Sequence, residues 1–269
     1  MTAGSAARAA DSGEPSILFA ATGLCKNFGG VRAVREISLQ IPSGTVFAII
    51  GPNGAGKSTL LNLMSGIYQP DAGTMYFDGT ELVGTPAHRR ARRGLARTFQ
   101  KIRLFKRLSV LDNVLAGFHI HHDISAWQYL MHGAAFRRDQ ARSRAQAQEL
   151  LSFVGLARRA QVLAGSLAYG EQRMLEIARA LATAPRLLMV DEPAAGLNAA
   201  EVERLLDRIR MLRRRGMTVA LVEHNMDLVM QVADRVLVMD YGKHLFEGTP
   251  AQVQASPAVV AAYLGADFR

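Results

Sequence analysis

The chain has 269 residues, 49% of them hydrophobic, enough to bury a substantial core as one large domain or one domain with an inserted lobe. Its single cysteine, Cys25, excludes an internal disulfide, and no uncharged apolar run approaches the about 18 residues that a membrane span needs. A formal charge of +9 favours anionic partners, although charge alone does not choose between nucleotide, nucleic acid and an anionic membrane surface.

In chain order, residues 1–15 are rich in Ala, Ser and Gly without an apolar core segment, and read as a flexible tail instead of a signal peptide. From Ile17 to Pro42, short β-prone runs alternate with turns and predict antiparallel strands. Phe28, in KNFGG, suits either stacking on a nucleobase or ordinary packing of this hairpin. The apolar run Val46 to Ile50 then reads as a strand feeding GPNGAGKST, made of Gly51, Pro52, Asn53, Gly54, Ala55, Gly56, Lys57, Ser58 and Thr59. That stretch matches G-x-x-x-x-G-K-[ST] in full. Polyphosphate must be wrapped by backbone N–H groups, which side chains would obstruct, so glycines line such a loop. Lys57 would reach the β- and γ-phosphates, and the Ser58 hydroxyl can ligate Mg²⁺. A helix opening at Lys57 adds a dipole that favours negative charge, and Gly66 can cap its end.

Gly73 to Leu82 reads as a hairpin turning at Asp78-Gly79. From Pro86 to about Gly165 the character becomes helical and arginine-rich, with a cap-like start at Ser109 and Asp112 and a second helix over 138–154. This is expected to be an inserted helical lobe. The arginines at 89, 90, 92 and 93 suit an exposed helix face, a membrane-facing surface or a partner contact better than nucleic acid. The cluster His119, His121, His122 and Asp123 lacks a second ligand pair and reads as a solvated segment. Trp127 suits docking or core packing equally.

After the lobe, Met174, Ile177, Ala178 and Leu181 keep helical spacing, and Leu187 to Val190 reads as a buried parallel strand. A further helix follows, with Asn198 as cap and Glu201 as its capping-box partner, and then strands at Thr218 to Val222 and Arg235 to Met239. Such alternation implies a mainly parallel sheet covered on both faces. The buried strand runs into Asp191 and Glu192, at the end where an α/β sheet places its ligand chemistry. Asp191 suits Mg²⁺, and Glu192 can orient or deprotonate an attacking water. His224 also follows a strand end and could donate to a γ-phosphate.

In their order, GPNGAGKST, ARTFQ, LAYGEQR, LLMVDEP, AAGLN and VEHNM resemble the motifs of ABC transporter ATP-binding subunits, and the likeness covers nearly the whole chain. NFGGVRAV, RTFQKIRLF, LSVLDNVLAG, DEPAAGLN and AAYLG further resemble the LivG-type ATPases of branched-chain amino acid uptake systems. The resemblance implies an α/β P-loop NTPase core with an N-terminal antiparallel β subdomain and an inserted helical subdomain. The expected divisions are 16–97 for the β and phosphate-loop part, 98–182 for the helical part, 183–250 for the rest of the core and 251–269 for a helical tail.

It also implies an ATPase using ATP and Mg²⁺, with Lys57, Gln100, Glu192 and His224 as catalytic residues and Ser58, Gln100 and Asp191 at the metal. Leu167, Ala168, Tyr169, Gly170, Glu171 and Gln172 would form a signature completing the ATP site of a facing subunit. The implied partners are two permease subunits, a second ATPase subunit (a related but different chain, or a second copy of this one) and, indirectly, a periplasmic binding protein, at the cytoplasmic face of the cell membrane and without nucleic acid. Lipid or lipopolysaccharide export, and non-transport work in DNA repair or translation, are the alternatives within the superfamily. One departure stands out: the signature serine is Ala168 here, which removes a hydroxyl from the expected γ-phosphate contact. The helix behind the signature is expected from about Gln172 to Ala182.

Overall fold

A computed structural model describes residues 16–121 and 134–264. Strands β1 (Ile17–Phe28), β2 (Val31–Pro42), β4 (Ala72–Phe77) and β5 (Thr80–Glu81) form an antiparallel sheet in the order β2-β1-β4-β5. In β2, Ile37, Leu39 and Ile41 alternate inward, as expected of a sheet with one covered face. The β4–β5 turn has Asp78 and Gly79 at φ 50° and 72°, the left-handed pair that a two-residue type I′ hairpin requires.

The second sheet has the order β10-β9-β3-β8-β7-β6. Here β3 (Val46–Ile50), β6 (Leu95–Arg97), β7 (Leu187–Asp191), β8 (Thr218–Val222) and β9 (Arg235–Asp240) are parallel, and β10 (Lys243–Gly248) is an antiparallel edge. All of β3, β7 and β8 is buried, so these strands read as continuous apolar runs without alternation. Neighbouring residues of β3 serve opposite faces: Val46, Ala48 and Ile50 join one core cluster, Phe47 and Ile49 the other. Helix α1 (Lys57–Ser65) packs in the cluster that also holds the inner face of the antiparallel sheet.

The lobe contains α3 (Val110–Phe118) and α4 (Ala134–Phe153) against α5 (Tyr169–Leu181). Ser109 caps α3 by accepting from the Asp112 amide at 3.0 Å, and Asn198 does the same for α6 (Ala199–Arg214) through the Glu201 amide at 3.0 Å. A short α7 (Met226–Val232) precedes β9, and α8 (Pro250–Ala255) and α9 (Pro257–Leu264) close the described chain. No described helix is long and apolar enough to cross a membrane.

Five features differ from what the sequence predicts. The arginine-rich stretch contains not only a short helix, α2 (Ala87–Arg92), but the core strand β6, whose three residues are too few to show a period. The edge strand β10 and helix α7 were likewise not anticipated. Helix α5 begins at Tyr169, about one turn before the expected start, because Ala168 is its N-cap. Finally, Arg90 does not lie on an exposed face: it is 0% accessible. Residues 122–133, which include His122, Asp123 and Trp127, lie outside the described residues; His119 and His121 bound a short 3-10 turn.

Arg90 donates to the carbonyls of Leu63 (2.7 Å) and Met64 (3.0 Å), and also to those of Leu82 (2.8 Å) and Thr85 (2.8 Å). It thereby satisfies the last carbonyls of α1 and places a cation at the negative end of the helix dipole. Burial pulls its pKa down to about 10. The residue after the helix must be glycine, since a Cβ on Gly66, at φ 80°, would stand 2.7 Å from Arg90 Nε. Arg90→Met strands buried carbonyls that cost about 1–3 kcal/mol each. Denaturant unfolding is therefore expected to register a loss of about 3 kcal/mol or more, and a loss below about 1 kcal/mol would contradict this role.

Candidate functional site

Strands β3, β8 and β7 are neighbours and parallel, so their C-terminal ends open at one edge of the sheet and bring Gly51, Glu223 and Asp191-Glu192 together. The loop after β3 is held by close backbone approaches. A Cβ on Gly51 would lie 2.1 Å from the Met239 carbonyl oxygen, and one on Gly56 would lie 2.2 Å from that of Ala33. Both positions also have left-handed φ, 151° and 95°, so no other residue fits without moving the loop. A cavity of about 360 Å³ opens over it, lined by Asn53 to Thr59 together with Gln100 and Glu192, and on the other side by Arg32 and Arg35.

Lys57 is buried, and its Nζ donates to the carbonyls of Gly51 (2.7 Å) and Pro52 (2.9 Å). Desolvation lowers its pKa, while Glu192, Asp191 and Glu223 oppose that shift in this order. All three carboxylates thus favour the charged form of the ammonium. Glu192 takes φ 43°, rare for a residue with a side chain, and its amide donates to the Val222 carbonyl at 2.9 Å. This backbone turn sends the side chain to Gln100, whose Nε2 donates to Glu192 Oε2 at 2.8 Å. His224 Nδ1 lies 4.0 Å from the same oxygen on a half-exposed ring.

Asp191 is 3% exposed; its Oδ2 accepts from Arg97 at 2.7 Å, and its Oδ1 is buried without a hydrogen-bond partner. A buried carboxylate oxygen left unpaired fits a site that takes a cation, and the Ser58 hydroxyl in the adjoining cavity is a second hard oxygen donor. Among the described residues no group of three His, Cys, Asp or Glu side chains forms a self-sufficient metal cage. An ion here would therefore share its shell with phosphate and water, as Mg²⁺ prefers.

Of the predicted site residues, Asn53 to Thr59, Gln100 and Glu192 line the cavity, while Gly51 and Pro52 accept from Lys57 Nζ, His224 lies near Glu192, and Asp191 sits outside the lining on Arg97. Phe28 does not line the cavity: its ring is edge-on to Tyr68 at 5.2 Å, with Lys26 Nζ 5.7 Å from its centroid. Nor do Leu167, Ala168, Tyr169, Gly170, Glu171 and Gln172, which surround the N-terminus of α5. There Glu171 accepts from the Ala168 amide at 3.1 Å and pairs with Arg159, while Gln172 Nε2 donates to the Leu167 carbonyl at 2.9 Å. Ala168 offers no side-chain acceptor in return, so only half of the usual reciprocal cap is present. The turn packs on the loop after Glu192: a Cβ on Gly170 would meet Glu201 Oε1 at 2.3 Å, and one on Gly196 would meet the Tyr169 ring at 3.1 Å.

Sequence reasoning missed four participants. Glu223 is 0% exposed and accepts from the Ala194 amide at 3.0 Å; burial raises its carboxyl above the usual range. Arg97 holds Asp191. Arg173 and Glu176 form a buried pair on α5 that grips the Gln100 segment, Arg173 through the carbonyls of Phe99 (2.7 Å) and Gln100 (2.8 Å), Glu176 through the amides of Phe99 and Arg103. A charged residue inside a short apolar strand, as in LAR, is the signal that could have revealed Arg97.

A glycine-walled phosphate loop on a helix N-terminus, beside two strand-end carboxylates, defines a nucleotide-binding P-loop ATPase. Comparison with known proteins narrows this. The family model for ABC transporters matches residues 34–195, and one described as a branched-chain amino acid ATP-binding cassette transporter matches residues 243–269. The high-affinity branched-chain amino acid transport ATP-binding protein BraF of Pseudomonas aeruginosa is 44% identical over 91% of this chain and 96% of its own length. The corresponding LivG of Escherichia coli is 41% identical over 92% and 98%. The ADP conformation of MJ1267, an ATP-binding cassette of an ABC transporter, superposes with a TM-score of 0.80 at 30% identity, covering 93% of this chain and 99% of that one. The chain belongs to the ABC transporter family, as an ATP-binding and ATP-hydrolysing subunit.

Proposed function

We propose that this subunit powers uptake of branched-chain amino acids by closing on Mg²⁺-ATP against a second ATPase subunit. The observation that carries the reaction is the meeting of Lys57, Asp191, Glu192 and Gln100 at one sheet edge. The cargo is supported by the 44% and 41% identical relatives and by the match of the last 27 residues to the branched-chain family description. No residue here reads the solute itself, since such a subunit would contact permeases and not cargo.

In this reading the backbone N–H groups of residues 53–59 and the α1 dipole hold the phosphates, and Lys57 turns from the Gly51 and Pro52 carbonyls toward the β- and γ-oxygens. Ser58 and Asp191, with Gln100, would hold Mg²⁺, which supplies neutralisation of phosphate charge when bound. Glu192 accepts a proton from the attacking water as general base, with Gln100 fixing one of its oxygens and His224 donating toward the γ-phosphate. Phe28 is retained as a base-stacking candidate only if Tyr68 releases it.

The position of the signature away from the chain's own cavity supports a sandwich in which Leu167 to Gln172 face the partner's ATP. Permeases at the membrane, a different ATPase chain as the facing subunit and a periplasmic binding protein upstream complete the assembly. The subunit would be peripheral, at the cytoplasmic face. The divisions at 97, 182 and 250 are the proposed subdomain limits, with the 98–182 lobe passing closure to the permeases.

Glu192→Gln is expected to lower phosphate release by the assembled complex at least about 100-fold while ATP binding survives. Undiminished turnover would refute the assignment of the base. Ala168→Ser restores a hydroxyl worth about 1.5–3 kcal/mol to a charged acceptor, so half-saturating ATP in the complex should fall about tenfold or more. The same change completes the α5 cap, and the isolated chain should gain about 1 kcal/mol in denaturant unfolding. A cap gain without any shift in ATP response would place the signature away from the facing phosphates.

A further inference from the structure

Arg97 ends β6, and its side chain is 7% exposed against 5% for Asp191. Its Nη2 donates to Asp191 Oδ2 at 2.7 Å, while Nη1 donates to Asn62 Oδ1 at 2.5 Å and Ser65 Oγ at 3.0 Å, both on α1. The guanidinium is thus fixed at three points between the strand that carries the metal carboxylate and the helix that carries the phosphate loop. A mere strut need not be ionic. Taking two charges out of water is costly, and apolar residues of similar volume often hold such a place as well or better. The charge count supplies a reason for the arginine. Asp191, Glu192 and Glu223 stand at the ends of neighbouring strands beside the loop of Lys57, so without Arg97 three acidic side chains would share a single ammonium. That cluster would attract a divalent cation with or without nucleotide.

We propose that Arg97 is a resident counter-cation for Asp191 that withholds the carboxylate from Mg²⁺ until nucleotide phosphates arrive, making metal loading depend on nucleotide. This rests on the reading of Asp191 as a metal carboxylate. Arg97 is a positioning residue that acts through Asp191. It occupies Oδ2 and offsets much of the carboxylate's charge, leaving the unpaired Oδ1 as the face that an ion can use. Phosphate then provides the negative charge and oxygen ligands that Asp191 alone lacks. No displacement of Arg97 is required, and its bonds to Asn62 and Ser65 keep the carboxylate aimed in both states.

Thermal unfolding of the nucleotide-free chain, titrated with Mg²⁺ alone and then with ATP in Mg²⁺ or in EDTA, tests this without measuring turnover. For the native chain, Mg²⁺ alone should move the midpoint by less than about 1 °C, and ATP should stabilise more with Mg²⁺ than with EDTA. For Arg97→Met, Mg²⁺ alone should raise the midpoint by about 3 °C at tenfold its half-saturating concentration, and Asp191→Asn in the same chain should abolish that response. If Arg97→Met does not accumulate by itself, the Arg97→Met, Asp191→Asn double variant should, because the uncompensated charge is gone; its failure overturns the proposal. An Arg97→Met chain indifferent to Mg²⁺ alone, or a response that persists without Asp191, also overturns it. A native chain stabilised equally by ATP in Mg²⁺ and in EDTA refutes the metal reading of Asp191 instead, and this assignment falls with it.

Discussion

A buried ammonium governs this structure. Lys57 must be close enough to the phosphate loop to reach a nucleotide, and burial there lowers its pKa. That shift is opposed by carboxylates at the ends of two neighbouring strands, Asp191 and Glu192 at the end of β7 and Glu223 just after β8. Only a parallel sheet brings such ends to one edge, since neighbouring strands there run about 4.8 Å apart with the same direction. The apolar runs VFAII, LLMVD and TVALV therefore do more than fill a core: they align one ammonium with three acids.

The same constraint explains why the charges come in interlocked pairs. Arg97 compensates Asp191, Gln100 engages Glu192, and Arg173 with Glu176 fixes the segment that carries Gln100 to α5. The helix that begins at the signature turn is therefore bonded directly to the strap that touches the candidate base. Tyr169 and Gly170 in turn rest on Gly196 and Glu201, in the loop that follows Glu192 and the cap of α6. Rotation of the helical lobe would be felt at Glu192 through hydrogen bonds already present, without a long chain of intermediates.

Much of this was legible in the sequence because the residues involved are constrained by chemistry that tolerates few substitutes. Gly51 and Gly56 have left-handed φ and no room for a Cβ, Asn198 and Glu201 form a reciprocal cap, and Asp78-Gly79 makes the turn its composition requires. What escaped was carried by arginine. Within RRARRGLAR, Arg90 is a fully buried cap for α1 and Arg97 a buried counter-ion, while Arg89 and Arg92 lie on the accessible side. Local composition does not separate these roles, because the distinction is made by carbonyls and carboxylates distant in sequence. β6 was hidden for the same reason: three residues give no period, and its strand character comes from pairing with β7. Phe28 shows the converse, since a plausible aromatic found a neighbour in Tyr68 that sequence order does not suggest.

Equilibrium binding of a fluorescent ATP analogue in Mg²⁺ to the native chain and to Lys57→Met reports whether a triphosphate is gripped around Lys57. Removing a desolvated charge from a phosphate contact costs about 2 kcal/mol or more, so the variant should bind at least about 30-fold more weakly while its fold is retained. Equal affinity in the two chains would mean that Lys57 does not hold the phosphates.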